Sequence, residues 1–308
     1  MVAASVEPTL PPPRPPRWRD LTTLAKPGIT ALIVLVAVSG YFVAAPRSID
    51  LVALGLLVAT GTSASAGAAM LNHYLDRDLD ARMKRTRHRP LPEARIAPTG
   101  SVALLGLVLL GAGVAGAAYA LNPLTGLSIL LGGLTYVVVY TLWLKRRSSW
   151  NIVIGGFAGS APALAGSAAA LGTWTPGAIA LAGLVFLWTP PHFWSLALLL
   201  RDDYSSVGLP MLPRMEDPAY SARVVVVSAA LLFPATVLLV VVGPITWPAA
   251  IALLGVAAVF LILTGPLWSA PERRIARRGF VYSGLYLLAV IVAVVANWGL
   301  LRLGFPGL

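Results

Sequence analysis

The sequence has no cysteine among its 308 residues, and charged residues make up only 11% of it. The missing thiols exclude disulfide bonds, cysteine-bound zinc, iron–sulfur clusters and thiol catalysis. Soluble domains carry about 25% charged residues, so the low charge excludes a disordered chain, a basic domain that binds nucleic acid and most cytosolic enzymes. Hydrophobic residues make up 57% of the chain. This composition predicts a polytopic protein in a lipid bilayer.

Long apolar stretches fill most of the chain after Pro27. About 20 residues cross a bilayer, and nine stretches near that length occur at 28–46, 51–75, 100–121, 124–144, 151–171, 176–200, 223–243, 248–268 and 280–302. They predict an all-α bundle of nine transmembrane helices in a single membrane domain, residues 23–308. Residues 1–22 are rich in proline and predict an extended cytoplasmic tail, with no signal peptide.

Basic residues outnumber acidic residues by 23 to 12, which gives a net charge of +11. When the nine stretches are taken as spans, all the basic residues except Arg47 and Arg302 fall on one side. Loops rich in Lys and Arg stay in the cytoplasm. The distribution therefore predicts a multi-pass protein of the inner (plasma) membrane with a cytoplasmic N-terminus and a C-terminus outside.

The few acidic residues concentrate at two cytoplasmic helix ends. At the first, Asn72, Asp76 and Asp80 recur every four residues, which places them on one face if the second helix continues. Asp78 would point elsewhere. The alternative is a solvated helix end stabilised by a pair between Asp80 and Lys84.

The second acidic pair, Asp202–Asp203, follows the sixth stretch at the same membrane face. Two facing clusters of oxygen ligands suit Mg²⁺, which leaves coordination positions for water and phosphate. A basic loop, residues 85–92, directly follows the first cluster. Arginines there would bind the charge of a diphosphate that a metal leaves unneutralised, or anchor the loop to anionic lipid. Together with the aspartates, the loop favours a diphosphate site.

These stretches resemble the signatures of the intramembrane UbiA-type prenyltransferases. A resemblance to the first signature is seen in Asn72-x3-Asp76-x3-Asp80 leading into Arg85-Thr86-Arg87-x-Arg89-Pro90-Leu91. Within that superfamily, the resemblance to the branch that farnesylates haem lies in Pro190-Pro191-His192-Phe193-Trp194 and Pro210-Met211-Leu212-Pro213. The resemblance covers residues from about 20 to 300 and implies a nine-helix bundle of UbiA type.

The resemblance also implies an activity, a cofactor and substrates. A farnesyl group would pass from farnesyl diphosphate to a vinyl group of haem B, with addition of water, to give haem O and diphosphate. Mg²⁺ would be the cofactor and haem B a substrate. Whether a downstream haem A synthase is a protein partner stays open, and no nucleic acid is expected.

Site residues carried over from the resemblance fall into three groups. The catalytic set is Asn72, Asp76 and Asp80, and the Mg²⁺ ligands are Asp76, Asp80, Asp202 and Asp203. Diphosphate-binding candidates are Lys26, Arg85, Arg89 and Lys145. One departure is that the second motif has adjacent carboxylates, whereas many members of the superfamily have an Asp-x3-Asp pattern.

Candidates for the haem side are His192, Trp194 and Tyr204. Haem iron is often bound by an axial histidine, although His192 is also consistent with a hydrogen-bonded intramembrane histidine that orients the substrate. Aromatic residues at span ends also serve as interface anchors. The role of these three residues stays open at this point.

Three other functions compete with this interpretation. A UbiA-type enzyme acting on an aromatic acid, quinone precursor or chlorophyllide would share the diphosphate site. A CDP-alcohol phosphotransferase would carry an Asp-Gly-x2-Ala-Arg start, which this sequence lacks. A transporter would place acids near the bilayer midplane, whereas here they lie at span ends.

Overall fold

The structure is a computed structural model that describes residues 17–44, 48–205, 207–210, 217–269 and 272–308. Within these ranges the regular secondary structure is entirely helical, apart from an isolated antiparallel bridge between Thr246 and Gly307. This confirms the predicted all-α class. The proline-rich run, Arg47, the stretch 211–216 and the side chain of Asp202 lie outside the described residues.

The described ranges contain α-helices of very different lengths. In chain order these are α1 (Trp18–Leu24), α2 (Pro27–Val43), α3 (Leu51–Leu75), α4 (Arg77–Arg82), α5 (Gly100–Ala120), α6 (Pro123–Leu134), α7 (Asn151–Gly155), α8 (Phe157–Leu171), α9 (Pro176–Leu199), α10 (Arg201–Ser205), α11 (Pro218–Ala230), α12 (Leu232–Val242), α13 (Trp247–Thr264) and α14 (Arg273–Arg302). A π-helix, Thr135–Leu144, continues α6, and a 3₁₀-helix, Gly265–Trp268, continues α13.

Membrane-spanning stretches agree in number with the sequence prediction. By length and composition, eight helical stretches in the described part of the chain can cross a bilayer, and α1 with α2 makes a ninth if this pair, bent by 49°, is one span. The chain is therefore a polytopic membrane protein. The bend matters because α2 alone has 17 residues, which is at the lower limit for crossing a bilayer.

The last helix begins earlier than the predicted boundary at residue 280. It starts at Arg273 and has 30 residues, so the basic residues assigned to a loop form its first turns. Arginine is a good helix former, and its long side chain can reach the aqueous interface while its backbone stays in the helix. The apolar pattern therefore marks the membrane-embedded part of α14 and not its start.

The helices pack most closely where small residues meet. A β-carbon at Gly166 on α8 would lie 1.9 Å from the carbonyl oxygen of Ala37 on α2, and one at Gly40 would lie 2.1 Å from that of Ala163. Such backbone contact is typical of helix association in lipid, where small residues allow close approach. The largest apolar core surrounds α9, which packs against α8, α11, α12 and α14. Helix α9 is thus the central element of the bundle.

We predict that Gly166→Ala lowers the free energy of unfolding by about 3 kcal/mol or more, because its methyl group would overlap the backbone of α2. The control is Gly183→Ala on α9, where a β-carbon meets nothing within 4 Å and the better helix propensity of alanine acts alone. The measurement is the thermal unfolding midpoint in detergent. Equal midpoints for the two variants would contradict the close packing of α2 and α8.

Candidate active site

Lys26 lies at the bend between α1 and α2, in an unusual backbone conformation. Its φ of 47° and ψ of 64° are left-handed, a region that residues other than glycine rarely adopt. Pro27 follows and disfavours the helical conformation at Lys26, so the helix breaks there. The ammonium group Nζ donates hydrogen bonds to Oδ1 of Asn72 (2.6 Å) and to the hydroxyl of Tyr136 (3.1 Å). The strained turn thus points a basic group at the end of α3.

Asn72 and Asp76 form the centre of this cluster at the end of α3. Both side chains are buried, with 3% and 1% of their surface exposed. Nδ2 of Asn72 donates to Oδ2 of Asp76 (2.8 Å) and to Oγ1 of Thr141 (3.1 Å), and Nζ of Lys145 also donates to Oδ2 of Asp76 (2.5 Å). The four-residue spacing therefore does bring Asn72 and Asp76 together, and lysines from two other segments approach them.

The π-helix determines which of its side chains reach the cluster. Tyr136 and Lys145 are nine residues apart, which is about two and a half turns of an α-helix but only about two turns of a π-helix. Both therefore face α3, together with Thr141, whose hydroxyl donates to the carbonyl oxygen of Tyr136 (2.8 Å). The ring of Tyr140 stacks on that of Tyr136, with centroids 6.0 Å apart. An α-helix over the same residues would turn Lys145 away.

Asp80 is the second buried carboxylate, on the short helix α4. Nη1 of Arg89 donates to both of its oxygens (3.0 and 2.8 Å), and the hydroxyl of Thr86 donates to its backbone carbonyl (3.0 Å). The side chain is only 5% exposed, so a solvated pair with Lys84 is not the arrangement that forms. Asp80 instead binds Thr86 and Arg89 and so holds the start of the basic loop against α4.

His73 is a site residue that the helical spacing did not single out. It is 2% exposed, and its Nδ1 lies 3.9 Å from Oδ2 of Asp80. Both ring nitrogens are buried with no hydrogen-bond partner among the described residues. The signal that could have identified His73 is its spacing of seven residues from Asp80, which is about two helical turns and places both residues on one face of a helix. The ψ angle of Asp76 between them is 1°, against about −42° in an α-helix.

Asp78 points away from the cluster, as its spacing predicts. It pairs with Arg146, whose Nη1 and Nη2 lie 2.8 and 2.7 Å from the two carboxylate oxygens. This hydrogen-bonded arginine lowers the pKa of the Asp78 carboxyl, and the carboxylate raises the pKa of Arg146 in turn. The Asp78 side chain is 55% exposed, so the pair contributes little to stability.

The remaining candidates lie outside this cluster. Arg85 is exposed on the same loop as Arg89, and Asp203 and Tyr204 lie half-buried on α10. His192 is half-buried on α9, whereas Trp194 is buried in a cluster formed mainly by α11, α14 and α7. The side chain of Asp202 lies outside the described residues. The structure therefore gathers Lys26, Asn72, Asp76, Asp80, Arg89 and Lys145 and leaves Arg85 at the rim.

The oxygen atoms of the cluster include possible ligands for a divalent metal ion. Oδ1 of Asp76 is buried and has no hydrogen-bond partner within the described ranges, and carboxylate and amide oxygens suit Mg²⁺. No three His, Asp or Glu side chains of the described residues gather closely enough to hold a metal alone. The residues fit an ion that takes part of its ligands from substrate or water.

The family model for the UbiA prenyltransferase family matches residues 32–285, which is most of the chain and includes every residue of the cluster except Lys26. The chain belongs to this family. The eight or nine membrane spans in the described part of the chain agree with this membership.

Curated relatives share more than a third of their residues with this chain. A protoheme IX farnesyltransferase of Thermosynechococcus vestitus is 39% identical over 90% of this chain and 88% of its own length. Protoheme IX farnesyltransferase 2 of Paramagnetospirillum magneticum is 39% identical over 90% of this chain and 96% of its own. The archaeal enzyme of that name from Sulfurisphaera tokodaii is 35% identical, with coverages of 90% and 92%.

Solved structures show the same fold at low sequence identity. A structure of digeranylgeranylglyceryl phosphate synthase has a TM-score of 0.75 at 15% identity and covers 91% of this chain and 98% of its own. A UbiA homologue from Archaeoglobus fulgidus, bound to GPP and Mg²⁺, has a TM-score of 0.69 at 16% identity, with coverages of 90% and 99%. These likenesses confirm the predicted UbiA-type bundle.

An ion pair holds residues 83–99, which include the basic loop, against α1. The carboxylate of Asp20, 6% exposed, accepts a hydrogen bond from Arg95, and Arg95 also pairs with the half-exposed Glu93 at 3.0 Å. Because Arg95 is 41% exposed, loss of this half-buried pair should cost more than the about 0–1 kcal/mol of an exposed pair and less than the about 3–5 kcal/mol of a fully buried one. The contact with Asp20 should therefore hold the loop that carries Arg89 more strongly than the contact with Glu93.

We predict that Asp20→Asn loosens this loop, since Arg95 loses its buried anion. Hydrogen exchange of residues 83–99 in detergent micelles should become faster by about ten-fold or more. The matched control is Glu93→Gln, which neutralises the other partner of the same arginine and should change exchange by less than two-fold, as exposed pairs contribute about 0–1 kcal/mol. Equal exchange in both variants would contradict the anchoring role of Asp20.

Proposed function

We propose that this protein transfers the farnesyl group of farnesyl diphosphate to a vinyl group of haem B, with addition of water, to give haem O and diphosphate. The pair of substrates is suggested by the name that the relatives share, at 35–39% identity over about 90% of the chain. The single observation that carries the chemistry is the cluster in which three basic side chains converge on two buried carboxylates and the amide of Asn72.

The basic side chains of the cluster would bind the diphosphate. Lys26, Arg89 and Lys145 come from three different segments and meet within hydrogen-bond reach of Asn72, Asp76 and Asp80. Charges fixed in this way stabilise a leaving anion without reorganisation during the reaction. Arg85, which is exposed at the rim, would meet a substrate only at the outer edge of the site.

Asp76 and Asp80, with the amide oxygen of Asn72 and with Asp202 or Asp203, would hold Mg²⁺. When bound there, the ion would act as a Lewis acid on the diphosphate oxygens. On substrate binding, Lys145 and Arg89 would exchange carboxylate partners for phosphate oxygens. The carboxylates they now neutralise would then be free for the metal.

The reaction then needs no nucleophilic side chain. The bond between C1 of the farnesyl group and the diphosphate oxygen breaks, and the electron pair leaves with the oxygen. The vinyl group of haem attacks C1, water adds to the resulting cation beside the porphyrin, and the released proton passes to the diphosphate. The stacked rings of Tyr136 and Tyr140 lie beside the cluster, where the hydroxyl of Tyr136 accepts from Lys26, and they would keep water from the allylic cation.

The membrane and the orientation follow from the same proposal. The cluster lies at the span ends that carry almost all basic residues, which would face the cytoplasm of the inner membrane. Farnesyl diphosphate would present its charged head to this face and its apolar tail to the helices. A haem A synthase, which would consume haem O, is the class of protein partner that this function implies.

The acceptor is tested by mass spectrometry of pigments from membranes that contain the protein, supplied with haem B, Mg²⁺ and farnesyl diphosphate. We expect a haem species heavier by one farnesyl group and one hydroxyl group. Parallel reactions receive a phenolic acid or a quinone precursor in place of haem. Farnesylation of those acceptors without any haem product would overturn the proposed substrate but retain the enzyme class.

We predict that Asp76→Asn and Asp80→Asn each lower turnover by at least about 100-fold, because the loss of a carboxylate weakens electrostatic stabilisation of the leaving group. The matched control is Asp50→Asn at the opposite end of α3, where Asp50 caps the helix through Val52 and Ala53 and asparagine caps as well. Turnover within two-fold of wild type in either cluster variant would contradict the proposed site.

A further inference from the structure

His192 occupies an aromatic pocket in the interior of the bundle. Its ring stacks on Trp188 at a centroid distance of 4.4 Å, and the ring of Phe280 on α14 lies 4.8 Å from it. Nδ1 is 2.7 Å from the hydroxyl of Ser283, also on α14. Two helices therefore fix both the plane of the imidazole and the direction of one of its nitrogens.

The hydrogen bonds of Ser283 decide which nitrogen of His192 carries the proton. The hydroxyl of Ser283 lies 2.7 Å from both the carbonyl oxygen of Phe280 and Nδ1 of His192. A carbonyl oxygen can only accept, so the arrangement that satisfies both contacts has Ser283 donating to Phe280 and accepting from Nδ1. Nδ1 of His192 is therefore the donor. In a neutral imidazole, Nε2 then bears a lone pair, and it has no hydrogen-bond partner among the described residues.

Ser283 is itself held in place. Nε1 of Trp188 donates to its carbonyl oxygen (2.7 Å), and the Ser283 residue is fully buried. The ring that stacks on His192 thus also fixes the residue that orients it. His192 therefore has one ring nitrogen bonded to a fixed oxygen and one without a partner in the described part of the chain. Metal-binding histidines usually have the same arrangement, because their second nitrogen donates to a fixed oxygen.

We propose that Nε2 of His192 is an axial ligand of the iron of the haem substrate and that Ser283 is the positioning residue that keeps Nε2 unprotonated. This inference rests on the proposed function, because it takes haem B as the acceptor. A neutral imidazole is a common axial ligand of haem iron. A hydrogen bond from Nε2 to a haem propionate would instead require a proton on Nε2, which the bond to Ser283 disfavours.

The depth of His192 agrees with this role. It lies seven residues before the end of α9 at Leu199, which is about 10 Å along the helix, whereas Asp76 caps the end of α3. The reactive vinyl group is at the edge of the porphyrin and the iron at its centre. An iron ligand is therefore expected to be displaced from the diphosphate site.

The test uses the full-length protein in detergent and haem B as the probe. Wild-type protein should shift the Soret band of added haem to an imidazole-ligated spectrum. His192→Phe keeps an aromatic ring in the stack but removes the nitrogens, so this spectrum should be lost. In His192→Ala, added imidazole should restore it. Ser283→Ala should weaken haem binding by about ten-fold, with a changed spectrum that a purely structural role would not produce.

The control is His88→Phe, which replaces a histidine that is 67% exposed on the basic loop and should leave the spectrum unchanged. Farnesyl diphosphate binding, measured in the presence of Mg²⁺, reports whether each variant is folded. An unaltered Soret band in His192→Phe would overturn the ligand assignment alone. Wild-type protein that binds farnesyl diphosphate but gives no Soret shift would contradict haem as the substrate and overturn both proposals.

Discussion

Two carboxylates buried at the end of a membrane bundle impose the constraint on which the rest of the site depends. Asp76 and Asp80 are almost fully enclosed, and a buried charge without a partner costs several kcal/mol. Each therefore needs a cation, and the chain supplies Lys145 from the π-helix and Arg89 from the basic loop. The requirement for charge neutrality thus fixes the relative positions of α3, α4, the π-helix and the loop.

The same constraint explains the less regular parts of the backbone. Lys26 adopts a left-handed conformation that costs about 1–3 kcal/mol, and this conformation delivers its ammonium group to Asn72. The π-helix is likewise a rare backbone conformation. It places Tyr136, Thr141 and Lys145 on one face. Strain collects where polar groups from distant segments have to meet, as is typical of functional sites.

Much of this architecture could be predicted from the sequence. The number of spans follows from apolar length, and the grouping of Asn72 with Asp76 follows from helical spacing. The contribution of Tyr136 could not be predicted, because it depends on the departure from α-helical geometry in the π-helix. The burial of His73 could not be predicted either, because it depends on tertiary packing. The pairing of Lys26 with a residue 46 positions away is tertiary, and spacing along one helix carries no information about it.

Depth in the membrane also determines which kind of polar contact the protein uses. At the span ends that carry most of the basic residues, water can solvate charges that the protein leaves unpaired, and the contacts are ion pairs such as that between Asp80 and Arg89. Deeper in the bundle they are neutral hydrogen bonds, as between Thr236 and Tyr286 or Trp188 and Ser283, because an apolar interior penalises charge far more than dipoles. A reaction between an anionic diphosphate and a porphyrin suits this division. Fixed charges would hold the leaving group at the interface, and a neutral nitrogen would hold the metal within the bundle.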